Sequence, residues 1–289
     1  MKTLRITGVP EHFNLPWKKV VAAQPFAVKG IQLSWTDESR GSGQMNKALR
    51  DDETDVAIVL TESFLKDFEE GNPSRMIGFH VKSPLIWGIH IPGKSPIENL
   101  NQIEKPKFLI SRMGSGSHLM AFVLAQREGW DPKNLELKIV GNLNGALEAM
   151  NPEIPEMFLW EKYTTKPWVI SGEFKRIGEV PSPWPCFVIV ASEKAISEFG
   201  DSIFELRDLV YKASKEVQNR LETPMEIHKA YDLGLEDVKA WLSQTTWETK
   251  STISRTELEK AMEKMQELGI IKHKLSLDRF LSLDHLQIF

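Results

Sequence analysis

The chain has 289 residues, enough for one large or two medium domains with their own cores. Hydrophobic residues make up 41%, charged residues 26%, and the net charge is −4; this is the composition of a soluble globular protein, and no lysine- or arginine-rich run points to nucleic acid. A single cysteine, Cys186, excludes an internal disulfide and a cysteine-built metal site, and the longest apolar runs, at 84–91 and 186–191, are too short to span a bilayer.

The opening MKTLRITGVP lacks the apolar stretch and small-residue cleavage site of a secretory signal, which predicts a cytoplasmic protein, or a periplasmic one given as its trimmed mature form. Residues 4–9 predict a first strand, 17–23 a short helix before Pro25, 31–36 a strand, 44–51 a helix, and 55–60 (DVAIVL) a buried strand. Residues 61–70 predict a helix capped by Thr61 and closed by Gly71. This alternation argues for an α/β domain with a mainly parallel sheet. RMIGFHVKSPLIWGIHIPG, residues 75–93, then gives two strand-like runs with no helix between them.

The rhythm restarts beyond that point, with a helix over 97–103, a strand over 108–111, a helix over 117–128, a strand over 135–140, a helix over 143–150, a strand over 155–160 and another within 172–180. PSPWPCFVIVAS, residues 181–192, sets three prolines before a β-branched run. From Glu193 onward the pattern is helical, over 202–221, 225–233, 235–244 and 256–268, with Ser254 and Glu257 as a capping box for the last. The restart near 93 and the return near 185 predict two lobes joined by two crossings near 87–93 and 184–189. Residues 1–90 with 185–289 form lobe I, and the inserted residues 91–184 form lobe II.

One motif occurs twice. SRGSGQM, residues 39–45, and SRMGSGSHLM, residues 111–120, each stand where a strand becomes a helix. Such a turn leaves unpaired N–H groups at a helix N-terminus, where the dipole favours negative charge. Either copy alone also suits a plain strand-to-helix turn, because Gly and Ser are ordinary turn and cap residues. Ligands of open α/β sheets lie outside the carboxyl ends of the strands. The repetition therefore predicts one such helix N-terminus from each lobe facing a common cleft.

These residues resemble a known family. GVPEHFN (8–14), the strand–GSG–helix unit, the DVAIV strand followed by Thr-Glu (55–62) and the SRMGSGSH turn are similar to type II periplasmic-binding-protein folds, in the branch that holds alkanesulfonate-, taurine- and thiamine-pyrimidine-precursor-binding proteins. Within it, the GVPEHFNLPW opening without a signal peptide resembles a small group of signal-less relatives known from a yeast and from bacteria. The resemblance covers essentially the whole chain and implies an α/β protein of two lobes, with an interlobe cleft and two hinge crossings, closing on a small molecule. Thiamine-pyrimidine synthases of the branch use a cysteine-rich segment with iron, which this chain lacks, and the fold also hosts cytoplasmic enzymes of menaquinone synthesis.

Candidate ligand residues follow from the strand ends. After the first strand stand Glu11, His12 and Phe13, which suit either a ligand wall or a surface loop. The repeated turns contribute Arg40, Gly41 and Ser42 from the first copy, and Ser111, Arg112, Gly114, Ser115, Ser117 and His118 from the second; either arginine suits a carboxylate, sulfonate or phosphate, or a solvated surface. Thr61 and Glu62 follow the third strand. Asn142 and Asn144 hold the matching place in lobe II, or serve the turn between Gly141 and Gly145. Trp160 and Glu161 close the MFLWE strand, the tryptophan for stacking or for core packing and the glutamate to meet an amine. Trp184 sits among the hinge prolines.

The seven histidines show no metal-binding spacing, and neither glycine turn has the Lys-Ser/Thr ending of a P-loop, so no metal or cofactor is expected. No Ser-His-Asp order can be argued, and Cys186 suits packing in a buried strand. The reading favours a small-molecule-binding protein with an anionic or acceptor-rich ligand, over an enzyme on the same fold or a ligand sensor. No transport partner is identified.

Overall fold

In the computed structural model, which describes all residues from Met1 to Phe289, the strands of the two larger sheets in chain order are β1 (Lys2–Gly8), β2 (Ile31–Asp37), β3 (Val56–Leu60), β4 (Ser74–Val81), β5 (Ile86–Pro92), β6 (Lys107–Ile110), β7 (Glu136–Ile139), β8 (Glu156–Glu161), β9 (Phe174–Pro181) and β10 (Phe187–Ser192). They divide between two compact units, Met1–Ser83 with Trp184–Phe289, and Pro84–Pro183. The chain leaves the first unit after Ser83 and re-enters it at Trp184. The segment 87–93 lies beyond the first passage, inside the second unit's sheet.

The first unit holds the sheet β2-β1-β3-β10-β4. β1 pairs in parallel with β2 and β3, while β10, the strand formed as the chain returns, runs antiparallel to β3 and β4. Every residue of β3 is buried, as expected of a central strand covered on both faces; each Val, Ile or Leu so placed contributes about 1.5–3 kcal/mol of transfer free energy. Around the sheet stand α1 (Leu15–Ala23), α2 (Ser42–Arg50) and α3 (Thr61–Glu69). α1 ends at Gln24, which takes the left-handed conformation ahead of Pro25.

The second unit repeats the plan with the sheet β7-β6-β8-β5-β9. β6 is parallel to β7 and β8, and β5, the strand formed on entry, is antiparallel to β8 and β9. Its helices are α4 (Gly116–Glu128), α5 (Leu143–Ala149) and α6 (Lys166–Ser171). Leu109, Ala146, Phe158 and Phe174 form the core on one face. α4 is capped by Ser115, whose side chain accepts from the His118 N–H, and stops at Gly129 in the left-handed region.

The C-terminal third belongs to the first unit: α7 (Glu193–Phe199), α8 (Asp201–Asn219), α9 (Thr223–Tyr231), α10 (Leu235–Gln244) and α11 (Arg255–Glu267). Single bridges from Trp247 to Val81 and from Leu281 to Met76 cover the outer edge of β4. Two expectations are corrected. Residues 97–103 do not form a helix: after Asn99 the chain makes one 3₁₀ turn, Leu100–Gln102, because Asn99 and Gln102 cap each other within three residues. Thr61 is not a helix cap either. It is the first helical residue, and its hydroxyl donates to the Pro185 carbonyl at 2.6 Å.

Candidate functional site

β1, β2 and β3 run in one direction, and β4 is parallel to them because both β3 and β4 oppose β10. Their carboxyl ends therefore share one edge of the first unit. The loop after β1 makes a 3₁₀ turn, His12–Asn14, in which all three side chains are buried. Gly8 makes this turn possible: a Cβ there would lie 2.5 Å from the Trp35 ring and 2.8 Å from the Asn14 amide. The Phe13 carbonyl accepts from both His80 Nε2 (2.9 Å) and Trp247 Nε1 (2.8 Å), which fixes the turn to β4 and to the C-terminal segment.

An aromatic cluster surrounds that turn. The His12 ring lies 4.1 Å from Trp241, 5.1 Å from Phe13 and 6.0 Å from Tyr231, centroid to centroid. Phe13 meets Phe187 at 5.3 Å and Trp241 at 4.9 Å, and Trp241 meets Trp247 edge-on at 5.3 Å. Burial pushes the His12 imidazole down to about 3, so the ring is neutral, and it pushes the Tyr231 phenol up. His12 Nε2, Tyr231 Oη and Trp241 Nε1 are all buried without a hydrogen-bond partner within the chain. Three unpartnered polar atoms, on His12 and on two rings that pack against it, are costly unless something hydrogen-bonds to them. Tyr231, Trp241, Trp247 and Phe187 were not singled out from the sequence; the excess of tryptophan, nine against three tyrosines, was the one signal that bore on them.

At the end of β3, Glu62 is 1% exposed and its Oε2 accepts from Trp184 Nε1 at 2.7 Å, while Oε1 has no partner within the chain. Burial pushes the carboxyl up to about 7, against the lowering effect of its hydrogen bonds. Ser42 opens α2 behind Gly41, whose φ of +81° suits glycine, and its Oγ accepts from the Leu60 N–H at 2.9 Å. That bond ties the first GSG turn to the end of β3. Arg40 points along the surface, its guanidinium and its own N–H on Glu38. Glu11 lies half-buried in the loop after β1.

In the second unit the matching edge carries the second turn. Ser111, Ser115, Ser117 and His118 are buried and bonded to one another: Ser117 Oγ accepts from the Ser111 N–H (3.0 Å) and lies 3.1 Å from Ser115 Oγ, which donates to the Arg112 carbonyl (2.8 Å). The Gly114 N–H donates to His118 Nδ1 at 2.9 Å, which in the neutral ring puts the proton on Nε2. Gly114 adopts φ +76°, so both turns place a left-handed glycine between strand and helix. The hydroxyls thus hold the turn, and the first-turn N–H groups of α4 ahead of His118 have no intrahelical carbonyl. Arg112 is half-buried in the same turn.

Asn142 caps α5, accepting from the Gly145 N–H at 3.0 Å, and Asn144 is exposed one residue inside that helix. Trp160 is half-buried, stacked on Phe158 at 5.3 Å. Glu161 is buried and accepts from the N–H groups of Tyr163 (3.0 Å) and Thr164 (2.6 Å); burial still raises its pKa above the ordinary carboxyl value. In the first unit, the structure gathers His12 with Phe13 and Glu62 with Trp184. In the second it gathers the turn residues 111–118, while Arg40 and Asn144 stand on the surface. No three or more His, Cys, Asp or Glu side chains converge as a metal-holding group.

Two five-stranded sheets, each with one antiparallel strand formed as the chain enters its unit, define the two-lobed periplasmic-binding-protein fold. The comparisons agree. The Candida albicans CA3427 gene product, described as defining a new family with the generic periplasmic-binding-protein fold, superposes with a TM-score of 0.84 at 24% identity, covering 100% of this chain and 96% of that one. The alkanesulfonate-binding protein SsuA of Xanthomonas axonopodis pv. citri, solved bound to MOPS, gives 0.77 at 12% identity over 100% and 99%. The zinc-bound ligand-binding component of an ABC-type import system from Staphylococcus aureus gives 0.76 at 13% over 98% and 97%. Residues 87–180 match the model of the Ca3427-like PBP family, so the family resemblance read from the sequence stands. No curated protein matches by sequence. No helix is long and apolar enough to cross a membrane.

Proposed function

We propose that the chain is a binding protein for a small, acceptor-rich or anionic molecule, with closure of the two lobes on that molecule as the resemblance implies. The observation that carries this reading is the ring cluster of the first unit, where His12 Nε2, Tyr231 Oη and Trp241 Nε1 are buried together without partners. The hydroxyl and the indole N–H are donors, and a neutral imidazole offers a donor or an acceptor according to tautomer. A flat or sulfonate-bearing molecule with several acceptor atoms would supply what they lack, and the indole faces would cover its apolar part.

The helix N-termini behind Gly41 and Gly114 support the same class of ligand, each favouring negative charge by about 0.3–1 kcal/mol when exposed and up to ~2 when partly buried. Relatives of this fold that bind sulfonates make MOPS a reasonable first probe. A thermal-shift screen of sulfonates, carboxylates, phosphates and neutral or cationic heterocycles tests the proposal. A ligand at a hundred times its Kd should stabilise by roughly 2.7 kcal/mol, and Trp241→Phe and Tyr231→Phe should each diminish that effect. Stabilisation by cationic compounds alone, or shifts unaltered by both substitutions, would overturn it. Mass spectrometry of the recovered ligand separates a binder, which returns it unchanged, from an enzyme, which does not.

A further inference from the structure

A cavity of about 460 Å³ opens on the first unit between the middle of α8 and residues 249–252. Its lining includes three lysines, Lys212 and Lys215 from α8 and Lys250 from the facing segment, with the hydroxyls of Thr249, Ser251 and Thr252 beside them. None of these residues belongs to the carboxyl-edge site. The volume lies within the range of small-molecule sites, about 300–1,000 Å³.

Many lysines of the chain are matched to acids, as Lys2 is to Glu198, Lys18 to Asp37, Lys19 to Glu226 and Lys29 to Glu205. The three cavity ammonium groups have no carboxylate partner. Asp208, the one acid in the lining, is held by Arg207 at 2.8 Å. Glu248, which precedes the lysine segment, is buried; its Oε1 accepts from the N–H groups of Thr249 (2.8 Å) and Lys250 (3.0 Å), and its Oε2 pairs with Lys82 at 3.6 Å. Lys212 and Lys215 are three residues apart on one helix, a spacing at which like charges repel. No carboxylate of the chain offsets that repulsion, which an anion would relieve. Lysine and hydroxyl groups on a concave surface are suited to phosphate oxygens.

We propose that this cavity binds a small phosphorylated anion of the pyrophosphate or phosphate-ester class. A concave site of this size in a chain of net charge −4 favours a small anion over a polyanionic surface such as nucleic acid or a membrane. Calorimetric titration of the full chain with pyrophosphate at low salt should show one saturable site, with phosphate weaker because it bears less charge. Lys250→Gln, and Lys212→Gln with Lys215→Gln, should each weaken binding by about tenfold per lysine neutralised, and added salt should weaken the wild type more than the variants.

Replacing Lys94, Lys105 and Lys133 by Gln, an equal loss of charge in the second unit, should leave the affinity unchanged. The proposal is overturned by no saturable pyrophosphate binding, by equal losses in the cavity and control variants, or by losses instead in Trp241→Phe and Tyr231→Phe. The last would assign the anion to the carboxyl-edge site. Tighter binding of duplex DNA or of anionic vesicles than of pyrophosphate, lost with the same lysines, would also overturn it.

Discussion

Trp184 donates its indole N–H to Glu62 Oε2 at 2.7 Å, and both side chains are buried where the chain re-enters the first unit. An acid in that setting favours its neutral form, and burial raises Glu62 from 4.5 to about 7. The folded state then holds this proton more tightly than the unfolded state does. The contribution to stability is complete below pH 4.5 and is lost as pH rises through about 7, a swing on the order of 3 kcal/mol. Glu62→Gln keeps an acceptor for the indole and removes the titration. Its unfolding midpoint should exceed that of the wild type above pH 7, and the gap should close towards pH 4.5. A constant difference across that window would show that Glu62 does not titrate there.

Histidines set the opposite limb. Burial lowers His12 to about 3, and His80 and His90 to about 4, from 6.5. A folded imidazole with a lowered pKa resists protonation, so stability is lost as pH falls below 6.5, at about 1.4 kcal/mol per unit for each ring. His80 and His90 each hold one ring nitrogen on a carbonyl, Phe13 and Phe158 respectively, so their replacement also removes a bond. The cleaner test is His12→Phe, which keeps a ring against Trp241. Denaturant unfolding followed from pH 6.5 down to 4 should show a shallower loss in this variant than in the wild type.

Gly8 makes a steric prediction. A Cβ at this position meets the Trp35 ring at 2.5 Å and the Asn14 amide at 2.8 Å, so Gly8→Ala must displace these side chains, and Asn14 belongs to the turn that carries His12 and Phe13. Overpacking of this kind costs about 1–3 kcal/mol. Calorimetry should show a lowered midpoint, and near-ultraviolet circular dichroism should show altered indole signals. An unchanged aromatic spectrum would mean that the Trp35 ring yields at no cost to the loop.

The order of strands and of most helices is legible because it rests on local pattern, β-branched runs such as DVAIVL and glycine turns at strand-to-helix exits; the short helix α6, Lys166–Ser171, is not. Misreadings occurred where a distant partner or a competing cap decides. Residues 97–103 have apolar residues at helical spacing, yet Asn99 and Gln102 close a single turn. Thr61 looks like a cap, but its hydroxyl finds the Pro185 carbonyl 124 residues away. The ring cluster joins His12 to Tyr231 and Trp241, more than 200 positions along the chain, and no local period encodes such a contact. Arg40 illustrates a different limit: Glu38 is two residues away, and sequence alone does not rank that carboxylate against a ligand for the same guanidinium.

Tryptophan emission offers a test that separates the two indoles singled out by the sequence. Trp184 is 3% exposed and hydrogen-bonded, whereas Trp160 is half-buried and stacked on Phe158. With MOPS or a better compound from the screen as probe, Trp184→Phe should remove part of any ligand-induced change in emission. It should also lower stability by about 1–3 kcal/mol, since Glu62 then loses its indole donor. Trp160→Phe should be the milder change in stability. Should both variants keep the full emission change and the affinity, the responding rings are those of the His12 cluster.

The repeated turns supply the last prediction. In the second turn the hydroxyls of Ser115 and Ser117 serve the turn itself, and in the first the Ser42 hydroxyl serves the Leu60 N–H. Ser117→Ala leaves the Ser111 N–H buried without an acceptor, and Ser42→Ala does the same to Leu60 N–H. Each should cost about 1–3 kcal/mol before any ligand is added, with a fall in midpoint of roughly 2–4 °C per kcal/mol. Ligand effects must therefore be read as affinities of the folded variants by calorimetry, and not as raw midpoints. If the helix N-termini hold an anionic group, loosening either turn should weaken sulfonate or phosphate binding while leaving neutral heterocycles unaffected, because the dipole term acts on charge. Equal losses for charged and neutral probes would mean that the serines shape the turn and the helix ends do not select the ligand.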